Sequence, residues 1–287
     1  MLKLNRKVFF SKVRHGPFPG KLTVNQVAGM NDLLDVWETH GSDDPRHLAY
    51  TFATDFHETG AKMQPVREGF KSTDKESRAY VQRNYGHKGS KWYCWPQGPF
   101  GHVYYGRGDV QLTWYDNYVR MGKILGLPLA QNPDMVLESK VSKMIMVEGM
   151  LNGSSKDGDF TGLALEDYFN ATTDDPTNAR RIINGTDKAF LIAGYHDEFL
   201  EAIEAALAAK LHDLPDEPIE LPATLPKKND QTSWGGLLAV LGGLGGAASG
   251  FSDNVPGSAT VAVVAVIAVG AFMLVRGRKN ILNSTGE

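Results

Sequence analysis

The sequence predicts a mainly α domain with at most a very small sheet, followed by a helix that spans a membrane. Three observations carry this. Through residues 1–211, apolar side chains recur three and four apart. Thr, Asp and Asp-Pro start signals stand in front of several of those runs. Beyond Pro215, Pro218, Pro222 and Pro226 lies a long run without charge, residues 257–275.

Residues 6–14 form the first expected helix, with Val8, Phe9 and Val13 on its apolar side, and Gly16, Pro17, Pro19 and Gly20 break it. Thr23 caps a second, roughly 24–39, where Val27, Met30, Leu34 and Trp37 recur at helical spacing. Asp44 caps a third with Pro45 at its first position, and Leu48, Phe52 and Phe56 lie four apart. Glu58 stands two residues after Phe56, about 200° round the helix. It therefore leaves the apolar stripe near the C-terminus, where Gly60 ends the helix. The macrodipole disfavours a carboxylate there and favours the protonated form.

Residues 71–103 read as a Gly-rich loop holding Tyr80, Tyr85, Trp92, Tyr93, Trp95 and Phe100. Buried rings and a sugar-stacking wall are both open readings. In 104–114, YYGRGDVQLTW, Val110, Leu112 and Trp114 alternate with Gln111 and Thr113. That alternation predicts a short strand with a polar Gln/Thr face. A helix is expected at 115–126, and Asn132 and Pro133 open another segment running through Met135, Val141, Met144 and Ile145 to Met150, with the methionines as core filler. Short helices are expected at 160–169 and at 174–185, the latter opened by Asp-Pro and stopped by Gly185. Thr186 caps a last one, about 187–211, with Phe199, Ile203 and Leu207 four apart.

Composition narrows the function. A net charge of −3 argues against a nucleic-acid partner. One cysteine, Cys94, excludes an intrachain disulfide and a Cys-based zinc site, and the eight His form no HExxH. No metal or cofactor is called for. The N-terminus is basic but lacks an apolar core of signal-peptide length.

The prolines make 212–233 an extended linker between the domain, 1–211, and a membrane-associated tail, 234–287. At about 1.5 Å per residue, 257–275 nearly matches a hydrocarbon core of roughly 30 Å. Arg276, Arg278 and Lys279 follow, as on a cytoplasmic flank. Residues 234–251 also lack charge but hold seven glycines. A second span and a membrane-surface segment are both open there.

Between the third helix and the aromatic stretch lies HETGAKMQPVREGF, residues 57–70, with Glu58 and Glu68 on either side of a Gly and a Pro. Cleaving a glycosidic bond needs two such carboxyl groups. One donates a proton to the leaving oxygen, and the other, ionised, activates water.

HETG, PVRE, YYGRGDVQLTW, DNY, NPD, FTG and ARRIING occur in this order. The set resembles the family 19 glycoside hydrolases, closest to the bacterial and phage endolysin branch, over about residues 8–205. The resemblance implies a two-lobed, lysozyme-like α+β domain with a very small sheet, and an inverting single displacement. It implies Glu58 as general acid and Glu68 as general base, with Glu76 the fallback base. It implies Gln111 as a sugar contact, Thr113 as a holder of the attacking water, and Asn117 and Asn184 as substrate contacts. Arg107 and Tyr105 of the YYGRG string join that set.

The expected partner is a polysaccharide, peptidoglycan or chitin, met by a monomeric catalytic domain. The apolar tail and the lack of a chitin-binding module favour peptidoglycan. The expected place is a bacterial inner membrane or a virion membrane, with the domain acting on the wall. A chitinase, a non-catalytic envelope-anchoring protein, and a lytic transglycosylase, which works with one catalytic Glu and leaves anhydro-sugar ends, are the rival readings.

Overall fold

A computed structural model describes residues 2–152 and 160–209. The linker and both apolar tail segments, including 257–275, lie outside the described residues. Among the described residues, no helix is long and apolar enough to cross a membrane.

Helix α1 (Arg6–Val13) starts where the Asn5 side chain accepts from the Val8 amide. Helix α2 (Val24–His40) opens on a reciprocal Thr23–Gln26 capping box, which satisfies two of the unpaired N-terminal donors. Helix α3 (Pro45–Glu58) is the centre of the fold. Asp44 caps it, Pro45 fills its first turn, and every residue from His47 to Asp55 is buried. A helix buried all round needs neighbours on several sides. Helix α8 (Ala189–Ala208) supplies one, stacking Phe199 on Phe52 with ring centroids 5.3 Å apart, and Phe9 of α1 meets Phe52 at 5.1 Å. Helix α6 (Ser139–Leu151) packs against α2 and adds Met146 and Met150 to this main core.

The sheet is two residues by two: β1 (Val66–Arg67) runs antiparallel to β2 (Arg107–Gly108), pairing Val66 with Gly108 and Arg67 with Arg107. No strand continues through 104–114. The chain folds back on itself instead, with Arg107 and Leu112 exchanging backbone hydrogen bonds of 3.2 and 2.9 Å. Gly108, Gln111 and Trp114 take positive φ (85°, 54° and 71°), which ends any alternation of faces. Gly108 is required twice over, because a Cβ there would also lie 2.7 Å from Ser142 Oγ.

Residues 71–103 are not simply loop. Helix α4 (Asp74–Tyr85) starts on a Thr73–Glu76 capping box. It buries only Ser77, Val81 and Tyr85, four apart, a stripe too narrow to announce itself. Tyr85 and Tyr93 belong to a second core cluster with Val81, Cys94, Val103, Tyr105 and Trp114, while Trp92 and Trp95 pack against its edge. Helix α5 (Tyr115–Leu125) ends on Gly126 in the left-handed conformation.

Three further expectations change. Residues 160–169 hold only a 3-10 turn, Leu165–Asp167. The ARRIING string forms a 3-10 turn, Asn178–Arg180, that passes into α7 (Arg181–Asn184). Helix α8 begins after Lys188, which is left-handed, so Thr186 does not cap it; Leu207 is 37% exposed rather than in the core.

Candidate active site

Glu58 ends α3. Its Oε1 accepts from Arg180 Nη1 at 2.6 Å, and the two side chains are 9% and 1% exposed. Arg180 is itself fixed, since its Nε donates to the Asp187 carbonyl at 3.1 Å. Glu58 Oε2 has no hydrogen bond to the described protein. Asn184 lies one helical turn beyond Arg180, and its Oδ1 is buried without a partner, as are Arg180 Nη2 and His57 Nε2. Buried polar atoms are normally paired, so unpartnered atoms on Arg180, which bonds Glu58, and on its neighbour Asn184 leave room for a polar ligand.

Glu68 follows β1 and is buried at 3% exposure. Its Oε1 accepts from the Tyr93 hydroxyl and its Oε2 from the Gly106 amide, both at 2.7 Å. Burial penalises its charged form and pushes its pKa up to about 7, against those two donors and the nearby Arg107 charge. That value suits a base operating near neutral pH.

Gln111 joins Glu68 at Gly106. A Cβ on Gly106 would lie 2.8 Å from Gln111 Oε1 and 3.2 Å from Glu68 Oε2. The Gln111 amide donates to the Val66 and Gly108 carbonyls, which pins its oxygen in place. Thr113 Oγ1 is buried with no protein partner, the condition of a hydroxyl that can hold a water. Asn117 donates to the Thr113 carbonyl at 2.8 Å and so braces this loop.

Arg107 and Tyr105 are placed differently. Arg107 is 2% exposed, lies 3.6 Å over the Tyr105 ring, and bonds Asp134, Asp74, Tyr118 and the Val103 and Tyr105 carbonyls. Tyr105 is fully buried, with its hydroxyl shared between Arg67 and Asp74. Both residues shape the loop from beneath and offer nothing to a ligand. Glu76 is the exposed partner of Thr73 in the capping box of α4, so it has a structural role in place of that of a base.

A buried ion cluster links the two halves of the site. Lys143 on α6 reaches Asp55 at 2.6 Å and Asp109 at 3.1 Å, and all three are fully buried. Asp55 lies one turn before Glu58 on α3, and Asp109 lies two residues before Gln111. Burial and the Asp109 charge push the Asp55 pKa up to about 7 although Lys143 opposes this. Burial also opposes the Lys143 ammonium, but the two carboxylates outweigh it and raise its pKa. Neither Arg180 nor this cluster was visible in the sequence. The one usable signal was the four-residue spacing from Arg180 to Asn184.

A helical domain carrying two carboxyl groups in unlike settings, among unpaired polar atoms, has the makings of a glycan-cleaving site. Residues 31–148 match the family model for class I chitinases of glycoside hydrolase family 19. That span holds Glu58, Glu68, Gln111, Thr113 and Asn117. An endochitinase of Arabidopsis thaliana is 51% identical over 51 residues, 16% of this chain and 18% of that protein. An inactive chitinase-like protein of Hevea brasiliensis is 45% identical over 53 residues, 17% of each. The chain thus spans under a fifth of the length of the curated relatives it matches. Among solved structures, a bacterial family 19 chitinase aligns at 23% identity and a TM-score of 0.44, covering 71% of this chain and 97% of its own. Chitinase C from Streptomyces griseus aligns at 22% and 0.43, covering 71% and 78%.

Proposed function

We propose that the protein hydrolyses β-1,4 bonds in the glycan of peptidoglycan by a single displacement that inverts the anomeric centre. The observation that carries this is the contrast between the two carboxyl groups: Glu58 ion-paired with Arg180, and Glu68 buried with a raised pKa. Arg180 fixes Glu58 Oε1; in its protonated state Glu58 gives the proton on Oε2 to the glycosidic oxygen, and the guanidinium then balances the carboxylate this leaves behind. Glu68, once ionised, takes a proton from the attacking water. The Thr113 hydroxyl and the Asn184 side-chain oxygen fit a water and a sugar amide respectively. Inversion asks for carboxyl groups roughly 6.5–9.5 Å apart, with the water between them.

The apolar run 257–275 supports a membrane anchor. A bacterial inner membrane or a virion membrane would place the domain beside the wall it cuts.

Chitin is the second reading, favoured because the related proteins are named endochitinases. A non-catalytic glycan binder is the third, favoured by the likeness to an inactive chitinase-like protein; the presence of both carboxyl groups, Glu58 and Glu68, and of the Gln111/Thr113 pair speaks against it. Release of reducing ends from purified sacculi and from chitooligosaccharide, run side by side, tests all three. Release from sacculi is the expected result. Release from chitooligosaccharide alone establishes the chitinase, and release from neither establishes the binder.

A further inference from the structure

We propose that the exposed face of residues 59–93, around α4, is a docking surface for the carboxylate-bearing strands of peptidoglycan; the proposal rests on the substrate reading above. Charge is sorted across this protein. Residues 59–93 hold eight Lys and Arg against three Asp and Glu, and one of those acids is the buried Glu68. Residues 160–209 hold three against nine. Such segregation in a chain of net charge −3 gives residues 59–93 a local excess of positive charge that the whole-chain figure hides.

The bases on that face are largely uncommitted. Arg67 and Arg78 pair with Asp134 and Asp74. The exposed Lys62, Lys71, Lys75, Arg83, Lys88 and Lys91 have no ion-pair partner among the described residues. Like charges held together without partners repel one another, and an anionic ligand relieves that repulsion.

The second observation is where those bases sit. Three of those lysines stand over ring faces: Lys62 over Phe70 at 5.2 Å, Lys71 over Tyr80 at 5.6 Å, and Lys88 over Trp92 at 4.6 Å. The first two pairs begin at the catalytic carboxyl groups. A Cβ on Gly60, two residues after Glu58, would lie 3.6 Å from the Phe70 ring. A Cβ on Gly69, next to Glu68, would lie 2.8 Å from Tyr80. A ring beside an ammonium matches a sugar whose flat face stacks while its substituent carries a carboxylate. Chitin is neutral at every sugar, whereas peptidoglycan bears an acidic substituent on alternate sugars. The geometry therefore favours the acidic glycan.

The test uses the full chain and a Lys62→Gln, Lys71→Gln, Lys88→Gln triple variant, checked for an unchanged melting profile. Both are pelleted in the cold with sacculi stripped of teichoic acid, with the same sacculi after amidation of their carboxylates, and with chitin. Three exposed charge contacts are together worth roughly tenfold in binding at low salt. The variant should bind stripped sacculi about that much more weakly. Amidation should abolish the wild-type advantage, and high salt should erase it. Chitin binding and chitooligosaccharide turnover should not change. Equal binding by variant and wild type overturns the surface, as does a wild-type preference that disappears when teichoic acid is removed. Sacculi bound through these lysines but never cut would overturn the substrate reading and leave the surface standing; sacculi cut equally well by the variant would do the reverse.

Discussion

Arg180 crosses 122 residues of chain to set its Nη1 2.6 Å from Glu58 Oε1. The contact joins the end of α3 to the turn before α7, and it orients the Glu58 carboxyl group, the acid of the proposed mechanism. It also changes what mutation of Glu58 should do. A glutamate lying off the apolar stripe would cost little when replaced. One that neutralises a buried guanidinium costs more, because the charge left behind has no partner. Glu58→Gln should therefore lower turnover by about 10²–10⁴-fold and destabilise the fold by roughly 1–3 kcal/mol. Release of reducing ends from sacculi and urea unfolding check the two effects. Full turnover in the folded variant would remove Glu58 from the mechanism.

Glu68 makes a prediction whose sign depends on pH. Its folded pKa, about 7, lies above its ordinary value of 4.5. The fold thus favours the protonated form. The stability this contributes is fully present below about pH 4.5 and is lost as pH rises through 7. Glu68→Gln has no charge to bury, so its stability relative to wild type should improve from pH 4.5 to pH 8. Its turnover should fall about 10²–10⁴-fold. Wild-type turnover should climb with a midpoint near pH 7 as the base ionises. Glu76→Gln, altering only a helix cap, should keep its turnover and serve as the control. Melting curves at the two pH values and a pH–rate profile read all of this, and a dead Glu76→Gln beside an active Glu68→Gln would reverse the assignment.

Much of this site could be read from the sequence, for definite reasons. Thr23 and Asp44 stand where a capping side chain must, and Phe52 and Phe56 hold the spacing of a packed face, so α2 and α3 were legible. The departure of Glu58 from that face was legible too. Helix α4 was not, because Ser77, Val81 and Tyr85 are its only buried side chains. The turn at 108–114 imitates a strand, since alternation of residue types carries no information about the positive φ at Gln111 and Trp114. Arg107 drew attention between two glycines, yet its burial depends on Asp74 and Asp134, which are far away in sequence. Arg180 could not be told from Arg181 without the fold.

The Asp55–Lys143–Asp109 cluster should behave as a clamp between the acid and the water-holding loop. Lys143→Met removes the cation and leaves two buried carboxyl groups facing each other. Breaking a buried ion pair in this way costs roughly 3–5 kcal/mol. The loss should be greater at pH 8 than at pH 5, since Asp55, with a pKa near 7, carries its own proton at the lower pH. Urea titrations at both pH values measure it. An equal loss at both would show that packing rather than charge is at stake.

The tail supports a prediction about placement. The full chain should sediment with membranes through 257–275, while a chain ending at Leu211 should stay in the supernatant with undiminished turnover. Fractionation followed by an activity assay decides it. Full-length protein in the supernatant, or a shortened chain without activity, would count against the anchor.

The central claim is that Glu58 and Glu68 together hydrolyse wall glycan, and mass spectrometry of the soluble products from purified sacculi tests it most directly. The account predicts muropeptides with hydrated reducing ends from the wild-type chain, and none from Glu58→Gln or Glu68→Gln. Anhydro-sugar ends, or intact sacculi beside fully digested chitooligosaccharide, would contradict it.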